Sequence, residues 1–342
     1  MKTDHPISGG LARRTRSITG IHFLGCSFTI RYEFIVHSGI QIDLQLRNFK
    51  WTDTNALSDL LNEVGSHGHR DWPRGADELR ALLEYPRVQP KRNVVLAISA
   101  DATIGYAIVE PEKNIGRSVI GLATTSDDPS AIRKLLHWAV NRAGKETPVV
   151  HLAVREHESE LGDTLELQGW TRVRKYLKLV CKSVEPHAAA ALPDGFTIRT
   201  MLGLDEVPEL TYLQNEAFKS HFGYSPNTED EIKASLLATN AGVDDVVMIH
   251  DSREQLVAYC WTDTSNRNGS SIGRIGMTGV LPSARKIGLG RAIAEAGFNH
   301  LVRRKADLIE LDVDSDNAPA IRIYSSLGFS TVNELYWWER SL

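Results

Sequence analysis

Val280-Leu-Pro282-Ser-Ala-Arg285-Lys-Ile-Gly288-Leu-Gly290-Arg291, followed later in the chain by Asp316-Asn317-Ala-Pro319-Ala-Ile-Arg-Ile-Tyr324-Ser-Ser-Leu-Gly328-Phe329, decides the fold of this protein. Upstream of the first stretch, Gly273–Val280 reads as a strand weakened by Gly273, Gly276 and Gly279, a pattern that marks a bulge or a close approach to the backbone. Pro282 and Ser283 end that strand. After the glycine-bearing turn Arg285–Arg291, the pattern of Ala292–Arg304 is that of an amphipathic helix. Leu308–Val313 then reads as a buried strand, Asp314–Asn317 as a turn and N-cap cluster, and Pro319 fits a first helical turn. Ala320–Leu327 is a short helix closed by Gly328.

A strand, a glycine turn and a helix start form an anion site, because the first N–H groups of a helix point outward and carry partial positive charge. Gly288 and Gly290 permit close backbone approach, and Arg285, Lys286 and Arg291 add charge. The expected ligand is a phosphate or pyrophosphate. A dinucleotide fingerprint is disfavoured, since its third glycine position holds Ile293, and the phosphate loop G-x-x-x-x-G-K-[ST] is absent.

The elements upstream of this region occur twice. Asp43–Arg47 and Gly195–Arg199 open the copies as strands, followed by helix-like Trp51–Val64 and Leu204–Phe218. Val94–Ile98 with Ile104–Val109, and Val246–Ile249 with Leu256–Trp261, read as hairpins. Gly169-Trp170 and Gly328-Phe329 each end a helix before the strands Thr171–Val180 and Ser330–Glu339. The chain is therefore a tandem duplication, joined by a segment containing Pro186, Ala188–Ala191 and Pro193, a composition typical of linkers. Each copy alternates strands and helices, which implies an α/β domain with a mixed sheet.

The bulk numbers agree with two such domains. The chain has 342 residues, of which 42% are hydrophobic and 24% charged, with 39 Lys and Arg against 43 Asp and Glu for a net charge of −4. That charge supplies no attraction to nucleic acid or an anionic membrane. Cys26, Cys181 and Cys260 are odd in number and widely spaced, which argues against a disulfide framework or structural zinc and for a reducing, cytoplasmic setting. Arg13, Arg14 and Arg16 precede a moderately apolar run, Ile18–Ile30, but His22 interrupts it and no cleavage site follows. Residues 1–40 are read as a flexible leader or the product of a start assigned too far upstream. His67-x-His69 has metal-ligand spacing but no third ligand in view, so no metal is expected.

The paired motifs resemble the GNAT superfamily of N-acyltransferases over residues 194–342, and the first copy resembles the same fold only through the repeat. The resemblance implies an α/β protein of two tandem GNAT-like domains, each a mixed, mostly antiparallel sheet flanked by helices. The expected parts are a leader (1–40), a degenerate domain (41–182), a linker (183–193) and a catalytic domain (194–342). It implies acetyl-CoA as co-substrate, held by Thr278, Gly279 and Val280 on the strand, by Arg285, Lys286, Ile287, Gly288, Leu289, Gly290 and Arg291 in the turn, and by Asn317. Asn317 reads equally as a helix cap. Tyr324 matches the residue that protonates the departing thiolate, and otherwise would be a core tyrosine. The implied reaction is direct attack by the primary amine of a small molecule. Tandem members such as mycothiol synthase share the layout but carry a Glu where this chain has Arg274, which counts against that substrate. For the base, Glu216, His221 and Asp263 are candidates. Phe218, His221, Phe222 and Tyr224 shape either an acceptor pocket or core and loop packing, and Tyr336, Trp337 and Trp338 read as final-strand packing. A monomer or homodimer is expected. A reading of another class is a non-catalytic acyl-CoA sensor or scaffold. In the first copy the matching turn, Ala123–Ile132, has neither Gly-x-Gly nor a base and contains Asp127 and Asp128, while Leu165 stands where Tyr324 stands in the second. That copy is expected neither to bind CoA tightly nor to catalyse.

Overall fold

The computed structural model describes residues 44–64, 75–85, 87–188, 192–238, 242–267 and 269–342. The expected leader and the His67–His69 pair lie outside the described residues. In chain order the first half contains β1 (Gln45–Asn48), α1 (Thr54–Val64), α2 (Ala76–Leu83), α3 (Pro90–Asn93), β2 (Val94–Ser99), β3 (Ala102–Glu112), β4 (Arg117–Thr124), α4 (Pro129–Ala143), β5 (Val149–Arg155), α5 (Ser159–Leu167) and β6 (Thr171–Cys181). The second half contains β7 (Thr197–Thr200), α6 (Val207–Phe218), α7 (Glu229–Ala238), β8 (Val246–His250), β9 (Leu256–Arg267), β10 (Ser270–Val280), α8 (Leu289–Arg303), β11 (Leu308–Asp314), α9 (Ala318–Ser326) and β12 (Ser330–Ser341).

Helices cover both faces of the sheet because its inner strands are apolar on both faces. On β2 the alternate residues Val95 and Ala97 pack with Leu135, Leu136 and Ala139 of α4. Val94 and Leu96, one residue out of phase, pack with Leu57 and Leu60 of α1 and Leu79 of α2. In the second half Ile293, Phe298 and Leu301 of α8 are fully buried in a core shared with β8, β9 and α6. Each such side chain contributes about 2 kcal/mol of transfer free energy.

Among the described residues the twelve strands form one sheet, in the order β1-β2-β3-β4-β5-β12-β6-β11-β10-β9-β8-β7. The duplication read in the sequence does not give two separate sheets. β12 pairs with β5 from Leu335↔Arg155 to Ser341↔Val149, and β6 pairs with β11 from Ile309↔Cys181 to Asp314↔Tyr176. Each half is thus completed by the last strand of the other, and β6 and β12 pair together at the centre. The exchange leaves neither final strand as an unpaired edge.

The pairs β4/β5 and β10/β11 are parallel, and every other pairing is antiparallel. β10 and β11 stay together only from Ile272↔Leu308 to Arg274↔Glu310. Beyond Arg274 they part, and Met277–Val280 have their ladder on one side only, with β9.

Candidate active site

The open side of β10 is shaped by a bulge and a glycine. Register with β9 shifts between Ile275 and Met277, which places the irregularity at Gly276, within the three-glycine strand. At Gly279 an ideal Cβ would lie 2.5 Å from Tyr259 Cε1 and 3.1 Å from Ala217 Cβ. Gly279 therefore lets β10, β9 and the end of α6 meet without a side chain between them.

Next to it lies a buried group of proton carriers. Tyr324, on α9, is 8% exposed, and Cys260, on β9, is fully buried. Thr278 Oγ1 lies 3.6 Å from Cys260 Sγ and within hydrogen-bonding reach of the Tyr324 phenol. Burial pushes the phenol up to about 12 despite the smaller opposing effect of Thr278. Burial likewise pushes the Cys260 thiol up to about 12.

The turn leading to α8 has the local geometry of an anion cradle. Lys286 (φ 70°) and Gly288 (φ 94°) both adopt left-handed conformations, a strain that Gly288 accepts freely and Lys286 does not. The first hydrogen bonds at the start of α8 are from Arg291 N and Ala292 N to Gly288 O, both 3.1 Å. The N–H groups ahead of them face away from the helix, as at any helix start. Gly290 serves packing as well, since its ideal Cβ would lie 3.7 Å from Ile323 Cδ1 on α9. The charged residues of the turn are not equivalent. Arg285 donates through Nε to Val280 O (3.1 Å) and through Nη2 to Ala217 O (2.8 Å), bridging the end of β10 to the end of α6. Arg291 pairs with Glu295 at 2.6 Å. Lys286 and Ile287 are exposed, as is Gly288, while Leu289 is buried as the anchor of the helix. Asn317 Oδ1 accepts from Ala320 N at 3.2 Å, so Asn317 is the N-cap of α9.

The corresponding turn of the first half is already occupied by its own side chains. Asp128 caps α4, accepting from Ser130 N (2.8 Å) and Ser130 Oγ (2.5 Å). A carboxylate on that helix start repels a second anion. Leu165, where α9 has its tyrosine, is fully buried.

The segment after α6 crosses from the second half to the first. Arg117 of β4 donates to Gly223 O at 2.7 Å, and Arg87 holds Glu231, Ser225 Oγ (3.0 Å) and Pro226 O (2.8 Å). Phe222 stacks on His151 of β5 at 5.7 Å, with the Arg174 guanidinium of β6 5.8 Å from its ring. Arg174 in turn bridges Asp314, at the end of β11, and Asp316. His221 lies 4.7 Å, ring to ring, from Phe218. Burial, with the charges of Arg285 and Arg174 and against that of Asp314, lowers the His221 pKa from its ordinary value. Arg174, Arg117 and His151 belong to this surface but carry no motif, and Asp314 read only as part of a turn; the strand exchange brings Arg174 to Asp314.

The other base candidates sit differently. Glu216 is half-buried on α6 and pairs with the exposed Lys219 at 3.3 Å. Asp263 is pinned by Arg274 at 2.8 Å, in register across β9 and β10. Arg274 and Val280 are six positions apart, roughly 20 Å along a strand. Tyr336 and Trp338 flank Arg172 at 4.8 and 4.7 Å, which is final-strand packing.

The family model for the acetyltransferase (GNAT) family matches residues 208–329. The chain is 32% identical over 242 residues to a mycothiol acetyltransferase of Thermomonospora curvata, covering 69% of this chain and 78% of that protein. It is 29% identical over 170 residues to a mycothiol acetyltransferase of Saccharomonospora viridis, covering 48% of this chain, and in that match it spans only 56% of the relative's length. In structure it resembles a tandem GNAT protein from the clavulanic acid biosynthesis pathway, with a TM-score of 0.69 at 15% identity over 87% of this chain and 98% of the other. That likeness is one of fold.

Proposed function

The chain belongs to the GNAT family of acetyltransferases, and we propose that it transfers an acetyl group from acetyl-CoA to the primary amine of a small molecule. The observation that carries this reading is the parting of β10 from β11 next to a helix start with outward N–H groups and a buried tyrosine. The residues fit the co-substrate: a turn for a pyrophosphate, a one-sided strand edge for an amide-bearing arm, and a proton donor where sulfur would leave. Ile287, Gly288, Leu289 and Gly290 offer backbone N–H groups to the pyrophosphate, with Lys286 adding charge. Arg285 acts by holding Val280 in place, and Arg291 is drawn toward Glu295.

The Thr278–Val280 edge orients the thioester, and a backbone donor at Val280 stabilises developing negative charge on the carbonyl oxygen. Such a donor is worth about 3 kcal/mol. Tyr324 gives its proton to the leaving sulfur. Asn317 helps fix the entrance by capping α9. The first half acts as a wall, fastening the segment that follows α6 over the junction. We place the enzyme in the cytoplasm, as a monomer or homodimer working without nucleic acid, membrane or metal. The net charge of −4 and the wide spacing of the cysteines support that setting.

Although Arg274 departs from the pattern expected of that substrate, the named relatives favour a mycothiol-type acceptor within this class. The test is thiol release from acetyl-CoA with deacetylated mycothiol, glucosamine and 2-aminoethanol as amines. Amine-dependent release with a matching acetylated product supports the reading. Tight acetyl-CoA binding with no transfer to any of these amines would support a sensor instead.

A further inference from the structure

An alkylammonium ion has a pKa near 10, so attack on a thioester at neutral pH needs a group that takes a proton from the acceptor. Glu216 is turned to Lys219, and Asp263 is held by Arg274 at the far end of β10. We propose that His221 contacts the acceptor amine and removes that proton. This inference rests on the acetyl-transfer reading above.

The placement carries it. Arg285 ties Val280 O to Ala217 O, so the end of α6 and the end of β10 form one lip of the opening. Asp314, the last residue of β11, stands on the other lip. His221 follows α6 directly, and its imidazole is in electrostatic reach of Arg285 on the first lip, Asp314 on the second, and Arg174 on β6. Phe218 packs beside it, and Phe222 is clamped between His151 and Arg174. The backbone is fixed on both sides, by His221 N to Phe218 O (2.8 Å) and Tyr224 N to His221 O (3.2 Å). The first half completes the arrangement through the Arg117 bond to Gly223 O. His221 is therefore a half-buried imidazole that follows the lip formed by the ends of α6 and β10.

Protons and electrons balance without a further reagent. The ammonium gives one proton to His221, which passes it to solvent. The freed nitrogen lone pair forms the C–N bond, and the C–S bond breaks with its electron pair on sulfur. Sulfur takes the proton of Tyr324, and the second proton lost from nitrogen restores the phenol. The net products are an amide, a thiol and one proton. Burial and the two guanidinium groups keep His221 neutral, and so able to accept, near pH 7.

The experiment compares the full-length wild type with His221→Gln in three readouts. Acetyl-CoA affinity by calorimetry should be unchanged, which shows that the variant is folded. Histidine NMR of the unliganded protein should show one resonance, lost in the variant, that titrates below pH 6.5. With whichever of deacetylated mycothiol, glucosamine or 2-aminoethanol the wild type acetylates fastest, kcat/KM at pH 7 should fall about a hundredfold, and the acid limb of the wild-type profile should disappear. Unchanged kcat/KM and an unchanged acid limb would overturn the assignment of His221 and leave the transferase reading standing. No transfer by the wild type to any of the three amines would overturn both. If the variant loses acetyl-CoA binding, His221→Asn replaces it and the same comparison decides.

Discussion

Replacing Tyr324 with Phe removes one oxygen from a buried site and tests the general-acid role proposed for it. If the departing thiolate had the acidity of a thiol in water, near 8.5, a phenol at about 12 would give up its proton at a cost of about 5 kcal/mol. Burial raises the neighbouring Cys260 thiol in the same direction as the phenol, so a sulfur leaving in buried surroundings lowers that cost. The variant should lose the general-acid contribution, between about a hundredfold and ten-thousandfold in kcat. The ring stays packed against Phe329 at 5.8 Å. Only the contact with Thr278 is lost, about 1 kcal/mol of stability, and acetyl-CoA affinity should hold. The assay is steady-state thiol release as a function of pH, paired with calorimetric binding. Tyr324 must be protonated to act, so activity is lost as pH rises through its pKa; with that pKa near 12, Tyr324 causes no basic decline below pH 10, where an ordinary phenol would. A Phe variant that kept kcat within about threefold would refute the general-acid role.

Other consequences follow from the packing. Gly279→Ala places a Cβ 2.5 Å from Tyr259, which is fully buried, and should cost about 2 kcal/mol by overpacking, read as a lower melting temperature, with weaker acetyl-CoA binding. Asp245 is buried and bonded to His300 at 2.7 Å and Arg304 at 2.9 Å. Burial alone would raise its pKa, but these partners outweigh it and the net shift is downward, so its contribution is present above the ordinary carboxylate range and lost as pH falls through the lowered value. Asp245→Asn should destabilise by about 3 kcal/mol at pH 7, and chemical denaturation should show the difference shrinking toward pH 3. Cutting the linker between β6 and β7 should leave the halves associated on gel filtration, because β12 of the second half pairs with β5 of the first and β6 of the first pairs with β11 of the second.

Much of the second half was legible in the sequence because its signals are local. The glycines of β10 announced a bulge, and Asn317, Pro319 and Gly328 announced the bounds of α9. The order of strands within each copy followed from alternation and turns. The exchange of β6 and β12 was not legible, since the two strands have similar patterns and either could close either half. Arg174 and Asp314 meet across that exchange, so no spacing along the chain links them. Arg285 illustrates a subtler gap. Its charge suggested a phosphate contact, whereas its guanidinium is used by two carbonyl groups. The expectation that the first half binds no CoA came from Asp127 and Asp128, and in the structure Asp128 caps the start of α4.

The most direct measurement is calorimetric titration of acetyl-CoA into the full chain and into Ile287→Glu, whose side chain is exposed in the turn and whose backbone N–H is retained. One site per chain with micromolar affinity, lost in the variant while its melting temperature is kept, is the expected result. Two sites, or binding indifferent to the new carboxylate, would place the co-substrate elsewhere and contradict the site described.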